Sequence, residues 1–175
     1  PAVAAAAVFR IIFSNRPEGM MNKVWTFFAN DPLAWLLEPQ SIFNIGSFPG
    51  PSLALIVIII FNVWTFTGYN AIIFLAGLGS IPGFLYEAAE IDGAKRWHVF
   101  RHVTVPLLPP TTYFLSILGV IGTFKAFNHL YVLRQAAALD TVDTMSLVIW
   151  DQLFTQNRYG YAATLAFVLF GVILI

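Results

Sequence analysis

The chain has no cysteine, so disulfides and thiolate metal sites are excluded. Charge is scarce as well. Asp, Glu, Lys and Arg make up 10% of the 175 residues, against about 25% in a soluble globular protein. Nine bases balance nine acids, which gives nucleic acid nothing to grip. The sequence contains no G-x-x-x-x-G-K-[ST], so the chain itself cradles no nucleotide phosphate. It also lacks a G-x-S-x-G elbow, and no Asp or Glu falls within its apolar stretches, which leaves an embedded hydrolase without its acids. What remains is 58% hydrophobic, with a mean hydropathy of +0.76. So little charge cannot clothe a soluble surface, and the expected solvent is the bilayer.

Four stretches fit a membrane. Ser52–Leu78 is apolar and free of formal charge over more than the roughly 20 residues a span needs. Thr111–Leu130 is the second candidate, interrupted only by Lys125, which is expected to snorkel at the outer end. Tyr159–Ile175 and Pro1–Phe13 read as part-spans. Pro1–Phe13 has no basic start or cleavage site of a signal peptide, and Arg10 suits a helix nearing an interface. The expectation is one all-α transmembrane domain over residues 1–175, a polytopic bundle incomplete at both ends. The connection Ser14–Pro51 carries Trp25 and Trp35, and its "VWTFFA" and "LAWLL" are expected to lie as short helices at the headgroup level. The second long connection is Tyr131–Arg158.

One short loop holds a third of the charge: six of the eighteen charged residues lie between Glu87 and Arg101. Lys95, Arg96 and Arg101 make Ser80–His102 the more basic connection, hence the cytoplasmic one. The long connections then fall outside. Pro82 suits a first helical turn, and Gly93 after Asp92 suits a left-handed helix end. A second helix is expected over Ala94–His102, and Pro106, Pro109 and Pro110 argue against regular helix before the next span. Mixed charge beside small alanines suits a docking surface better than a lipid-facing helix, which would be biased to Lys and Arg. His98 and His102, at i and i+4, have no third ligand and cationic neighbours, so they are read as polar-face or partner-contacting residues and no metal site is expected.

Glu87-Ala88-Ala89, three residues, Gly93, nine residues, then Val103-Thr104-Val105-Pro106 resembles the EAA loop of ABC importer permeases. Val103 and Val105 stand where the family has Ile and Leu. The fuller "EAAEIDGA…W..F..VTVPLL.P", with "FLAGLGSIPGFLYEAA" before it and "GTFKAFNHLYVL" after, is similar to the carbohydrate-type branch. "RQAAALDTVDT" departs from the Gly-Gly-Pro stretch of many relatives.

The resemblance implies the type I importer permease fold, in a prokaryotic cell (inner) membrane. It implies partners too: a cytoplasmic ATPase dimer that binds the ATP, a second permease, most often a different chain, and an extracellular or periplasmic solute-binding protein. The cargo would be a sugar, an oligosaccharide, or a related polyol or glycerol phosphate. Glu87, Ala88, Ala89, Asp92 and Gly93 would form the coupling loop, at about residues 80–106. No cofactor and no catalysis belong to the chain itself. Asn62, Thr65 and Tyr69 share one face of their span, and Ser116 and Thr123 share a stripe of theirs; these five are the candidate solute path, with helix packing the competing role. The rival reading is a non-transporting scaffold or receptor subunit that docks a cytoplasmic protein.

Overall fold

Ser52 starts the longest helix by accepting the Leu55 N–H on its hydroxyl at 3.2 Å, a side-chain N-cap. In the computed structural model, which describes residues 2–29, 31–37, 44–45, 48–134 and 142–174, this helix runs Leu53–Gly79. The helices in order are α1 (Ala2–Ile12), α2 (Met20–Trp25), α3 (Leu53–Gly79), α4 (Gly83–Ile91), α5 (Arg96–Val99), α6 (Val105–Leu107), α7 (Pro109–Phe124), α8 (Asn128–Leu133), α9 (Met145–Trp150) and α10 (Tyr159–Leu174). Phe100–Thr104 and Asp151–Thr155 are π-helical turns. A two-residue antiparallel pairing joins Asn44–Ile45 with Phe48–Pro49. The 27 residues of α3 give roughly 40 Å of helix, more than the roughly 30 Å hydrocarbon core. Among the described residues α3 alone is long and apolar enough to cross by itself. Arg96–Leu107 and Pro109–Phe124 pass together as one span bent by 56°, and α1 and α10 are shorter apolar helices.

The chain divides into two compact units, residues 1–64 with 123–175, and residues 65–122. The first has the larger core, in which Phe9, Phe13, Leu36, Val57, Phe61, Leu133 and Leu147 are buried together. The Phe9 and Phe61 rings meet edge to face at 5.2 Å, a geometry worth about 0.5–1.5 kcal/mol beyond burial. In the second unit the end of α3 lies against the start of α7. A Cβ added at Gly77 would collide with Thr111 Oγ1 and come within 3.0 Å of its Cγ2. Glycine permits this close approach. Outside these contacts large apolar side chains are exposed along α3, α7 and α10, Phe167 and Phe170 among them.

Three expectations need correction. The Trp35 ring is buried, at 9% exposure, and its Nε1–H donates to Asn22 Oδ1 at 2.8 Å. The buried carboxamide satisfies the one polar group of the indole, so the ring can be enclosed by protein. "LAWLL" is accordingly a turn and not a helix. The second span ends at Phe124 rather than Leu130, because hydroxyls from a distant segment take its terminal carbonyls: Ser146 Oγ donates to Phe124 O at 3.0 Å and Thr144 Oγ1 to Ala126 O at 2.8 Å. The proline-rich stretch before that span is helical as well. Pro106 follows the widened π turn, where backbone bonds already skip one residue, and Pro109 and Pro110 occupy the first turn of α7, where no N–H is needed. Residues 135–141, most of the departure from the Gly-Gly-Pro pattern, lie outside the described residues. Their flanks are tied by Arg134, whose Nη2 lies 2.6 Å from Asp151 Oδ2 and whose Nη1 lies 3.5 Å from Asp143 Oδ1.

Candidate coupling loop and solute-facing residues

The charged loop is a helix, a left-handed glycine and a second helix. Gly93 has φ 71°. Its N–H donates to Glu90 O at 3.0 Å, and the Ala94 N–H donates to Ala89 O at 2.9 Å. These two bonds together are the Schellman closure, which satisfies the last carbonyls of α4 while reversing the chain. Asp92 occupies the C-cap with φ −72°. The arms are cross-tied by Tyr86 Oη and Thr104 Oγ1 at 3.3 Å. Between them runs a groove of about 270 Å³, lined by Tyr86, Glu90, Arg96 and Phe100. Stacked pairs stiffen the second arm: Trp97 on Phe100 at 5.5 Å and His98 on His102 at 5.1 Å.

The face that α4 offers is more apolar than its motif letters suggest. Glu87 and Ala88 are exposed, while Ala89 is half-buried beside Leu85 and Tyr86. Phe84 and Ile91 share the outward face with Glu87, at 64% and 88% exposure, and Trp97 on the second arm is 67% exposed. Sequence reasoning passed over Phe84 and Ile91. The available signal was the spacing of Phe84, Glu87 and Ile91 at i, i+3 and i+7, which puts an acid between two large apolar residues on one face. No group of three or more His, Cys, Asp or Glu able to hold a metal occurs among the described residues.

On α3, Asn62 is half-buried and its Nδ2 donates to Ile58 O at 3.0 Å. Thr65 Oγ1 is enclosed and makes no hydrogen bond among the described residues. Tyr69 is exposed on the same face. On α7, Ser116 is exposed and its hydroxyl donates to Thr112 O at 2.7 Å; Thr123 is exposed at the same helical angle. Each stripe is therefore intact on its own helix.

A mainly apolar cavity in the first unit was not foreseen. It has a volume of about 680 Å³ and lies at the C-terminal end of α1, with Arg10, Ser14, Asn15 and Arg16 on its polar side and Leu36 and Val132 on its apolar side. Beneath the connection, Asn22 is wholly buried. Its Nδ2 donates to the carbonyls of Ser14, Arg16 and Leu33, and its Oδ1 accepts from the Leu33 N–H and Trp35 Nε1–H.

Residues 1–175 match the family described as binding-protein-dependent transport system inner membrane component. The chain is 31% identical over 174 residues to the arabinooligosaccharides transport system permease protein AraP of Bacillus subtilis (strain 168), covering 99% of this chain and 52% of that protein. It is 31% identical over 176 residues to the lactose transport system permease protein LacF of Rhizobium radiobacter, covering 97% of this chain and 55% of LacF. A solved bacterial alginate ABC transporter, in complex with an alginate pentasaccharide-bound periplasmic protein, superposes with a TM-score of 0.80 at 25% identity, over 98% of this chain and 56% of the solved one. The chain spans about half the length of the curated relatives it matches.

Proposed function

This chain belongs to the binding-protein-dependent transport system inner membrane component family, with the helical fold of type I ABC importer permeases, and we propose that it forms the solute path and the ATPase-docking loop of a carbohydrate importer. In this reading it is one multi-pass transmembrane domain of a prokaryotic inner membrane, working with a second permease, two ATPase copies and an external binding protein. The cargo class, a sugar or oligosaccharide, rests on the arabinooligosaccharide, lactose and alginate systems named for its relatives. The observation that carries the docking role is the Gly93-closed loop that holds Phe84, Glu87, Ile91 and Trp97 outward. Such a surface, acid and apolar together on a stiff frame, suits a protein cleft better than water or lipid. ATP-driven movement of the docked loop would switch the access of the spans to either side.

Because the chain has no cysteine, its topology can be read by single-cysteine labelling. Lys95→Cys is expected to resist an impermeant maleimide in intact cells and Asp31→Cys to react. The reverse pattern would place the charged loop outside, where no ATPase could reach it.

We assign Asn62, Thr65, Tyr69, Ser116 and Thr123 to the solute path. The assignment rests on the polar side chains that each helix carries along one face. Asn62→Leu or Thr123→Leu in the reconstituted transporter should cut uptake about tenfold at constant ATPase association, as expected for losing one hydrogen bond of about 1.4 kcal/mol. Normal uptake in both would return the stripes to helix packing. Vesicles with no ATP-driven uptake of any saccharide would favour the scaffold reading.

A further inference from the structure

We propose that residues 105–110 are a proline hinge, about which the charged loop swings as one body relative to α7. The part this swing plays in transport rests on the docking role proposed above; the hinge itself does not.

The loop is a frame fastened at both ends. Gly93 closes its tip through the bonds from its own N–H and that of Ala94, and Tyr86 and Thr104 meet across its base at 3.3 Å. The ring pairs Trp97–Phe100 and His98–His102 stiffen the second arm as far as His102. Beyond the hinge, Thr111 lies so close against Gly77 of α3 that a Cβ there would collide with it. Between Thr104 and Thr111 the backbone is weakly held. A proline has no N–H, so Pro109 and Pro110 give nothing to the carbonyls four residues before them, on Val105 and Pro106. Val105 O takes the Leu108 N–H instead, at 3.3 Å, which is long for such a bond. At this point Arg96–Leu107 and Pro109–Phe124 are bent by 56°, and bends this sharp are commonly made at proline. Val105 and Leu107 are 45% and 43% exposed, and both prolines are exposed, so little packing among the described residues opposes a change of angle. Ile81, at the other root of the loop, is buried. That root is the fixed end, and 105–110 is the end that gives, as positions at the termini of stiff elements do in hinges.

The test reads the angle directly. The assembled transporter is placed in nanodiscs, with cysteine-free partner subunits and a full-length permease whose only cysteines are the labelling sites. Spin labels stand at Arg101→Cys and Val120→Cys, on either side of the hinge, or at Gly83→Cys and Arg101→Cys, one on each arm. All three positions are exposed. Pulsed electron resonance gives the distances without nucleotide and after trapping with ATP and vanadate. The Arg101–Val120 distance should be broadly spread without nucleotide and shift on trapping, while Gly83–Arg101 keeps one value throughout. Pro109→Ala with Pro110→Ala returns two N–H donors to the helix ladder. The pair should narrow the spread and abolish the shift, at unchanged co-purification of the ATPase. Adding Leu108→Gly should bring the spread back, a rescue that a merely misfolded variant would not show. A spread indifferent to the two alanines, an Arg101–Val120 distance that is narrow and unmoved in the parent, or a Gly83–Arg101 distance that changes on trapping overturns the hinge. Glu87→Ala in parallel separates the two readings: undiminished ATPase co-purification removes the docking role, and the spread without nucleotide still decides the hinge.

Discussion

Gly93→Val abolishes ATP-driven uptake while the chain still inserts at the wild-type level. Gly93 sits at φ 71°, a region that costs an L-residue about 1–2 kcal/mol and a β-branched one more. A Cβ there meets nothing within 4 Å, so the penalty is conformational and not a clash. If the turn gives way, the bonds from the Gly93 and Ala94 N–H groups to Glu90 O and Ala89 O go with it, at about 1 kcal/mol each. A strain of about 2 kcal/mol shifts the loop equilibrium roughly 30-fold towards conformers that aim α5 and Trp97 elsewhere. The cause predicts an order: asparagine, which tolerates this region, should be mildest, alanine intermediate and valine worst. Glu87→Ala tests the surface instead of the turn. It should weaken ATPase co-purification and leave amide exchange at Glu90–Lys95 unchanged, whereas Gly93→Val raises that exchange. A Gly93→Val transporter with wild-type uptake and a protected loop would remove the coupling role.

The loop was legible because its determinants are local. Pro82, Asp92 and Gly93 all act within one turn of the helix they delimit; Asp92 and Gly93 stand where the sequence pointed, whereas Pro82 is the N-cap, one position before the first turn expected of it. The four apolar stretches were legible for the same reason, since a run of apolar residues needs no partner to declare itself. The break after Phe124 was not. Lys125-Ala126-Phe127 contains no glycine or proline, and the groups that end the helix, Thr144 and Ser146, are 18 and 22 residues away from the carbonyls they take. The turn at Trp35 was hidden likewise. Its sequence surroundings read as interfacial, and its partner Asn22 lies 13 residues earlier, in a stretch with no pattern of its own. Arg134, in the connection read as external, is committed to Asp151 and Asp143, the nearer of them nine residues away in sequence. The outward apolar face of α4 was readable by spacing and was missed because the alanines and the acid of the motif drew the attention that Phe84 and Ile91 warranted.

The same reasoning makes Asn22 the position where a single substitution should most disturb the folded chain. Its amide is wholly buried and has one workable orientation, with three carbonyls on the Nδ2 side and two N–H groups on the Oδ1 side. Asn22→Ala strands both donors and all three acceptors at once. At about 1–3 kcal/mol for each buried group left unpaired, and with losses in one network far from additive, about 4 kcal/mol is expected, roughly a thousandfold in the opening of residues 14–36. Asn22→Asp distinguishes shape from polarity. It keeps the two acceptor bonds, to the Leu33 N–H and Trp35 Nε1–H, but turns an oxygen toward the carbonyls of Ser14, Arg16 and Leu33. A role set by hydrogen-bond polarity makes Asp as harmful as Ala, whereas a role of filling space makes it nearly silent. Exchange of the Leu33 and Leu36 amides in nanodiscs measures the opening directly. Both should lose protection together, because Leu36 is held by Asn15 in the turn that Asn22 anchors. If Asn22→Asp retains wild-type protection, the hub is a matter of packing.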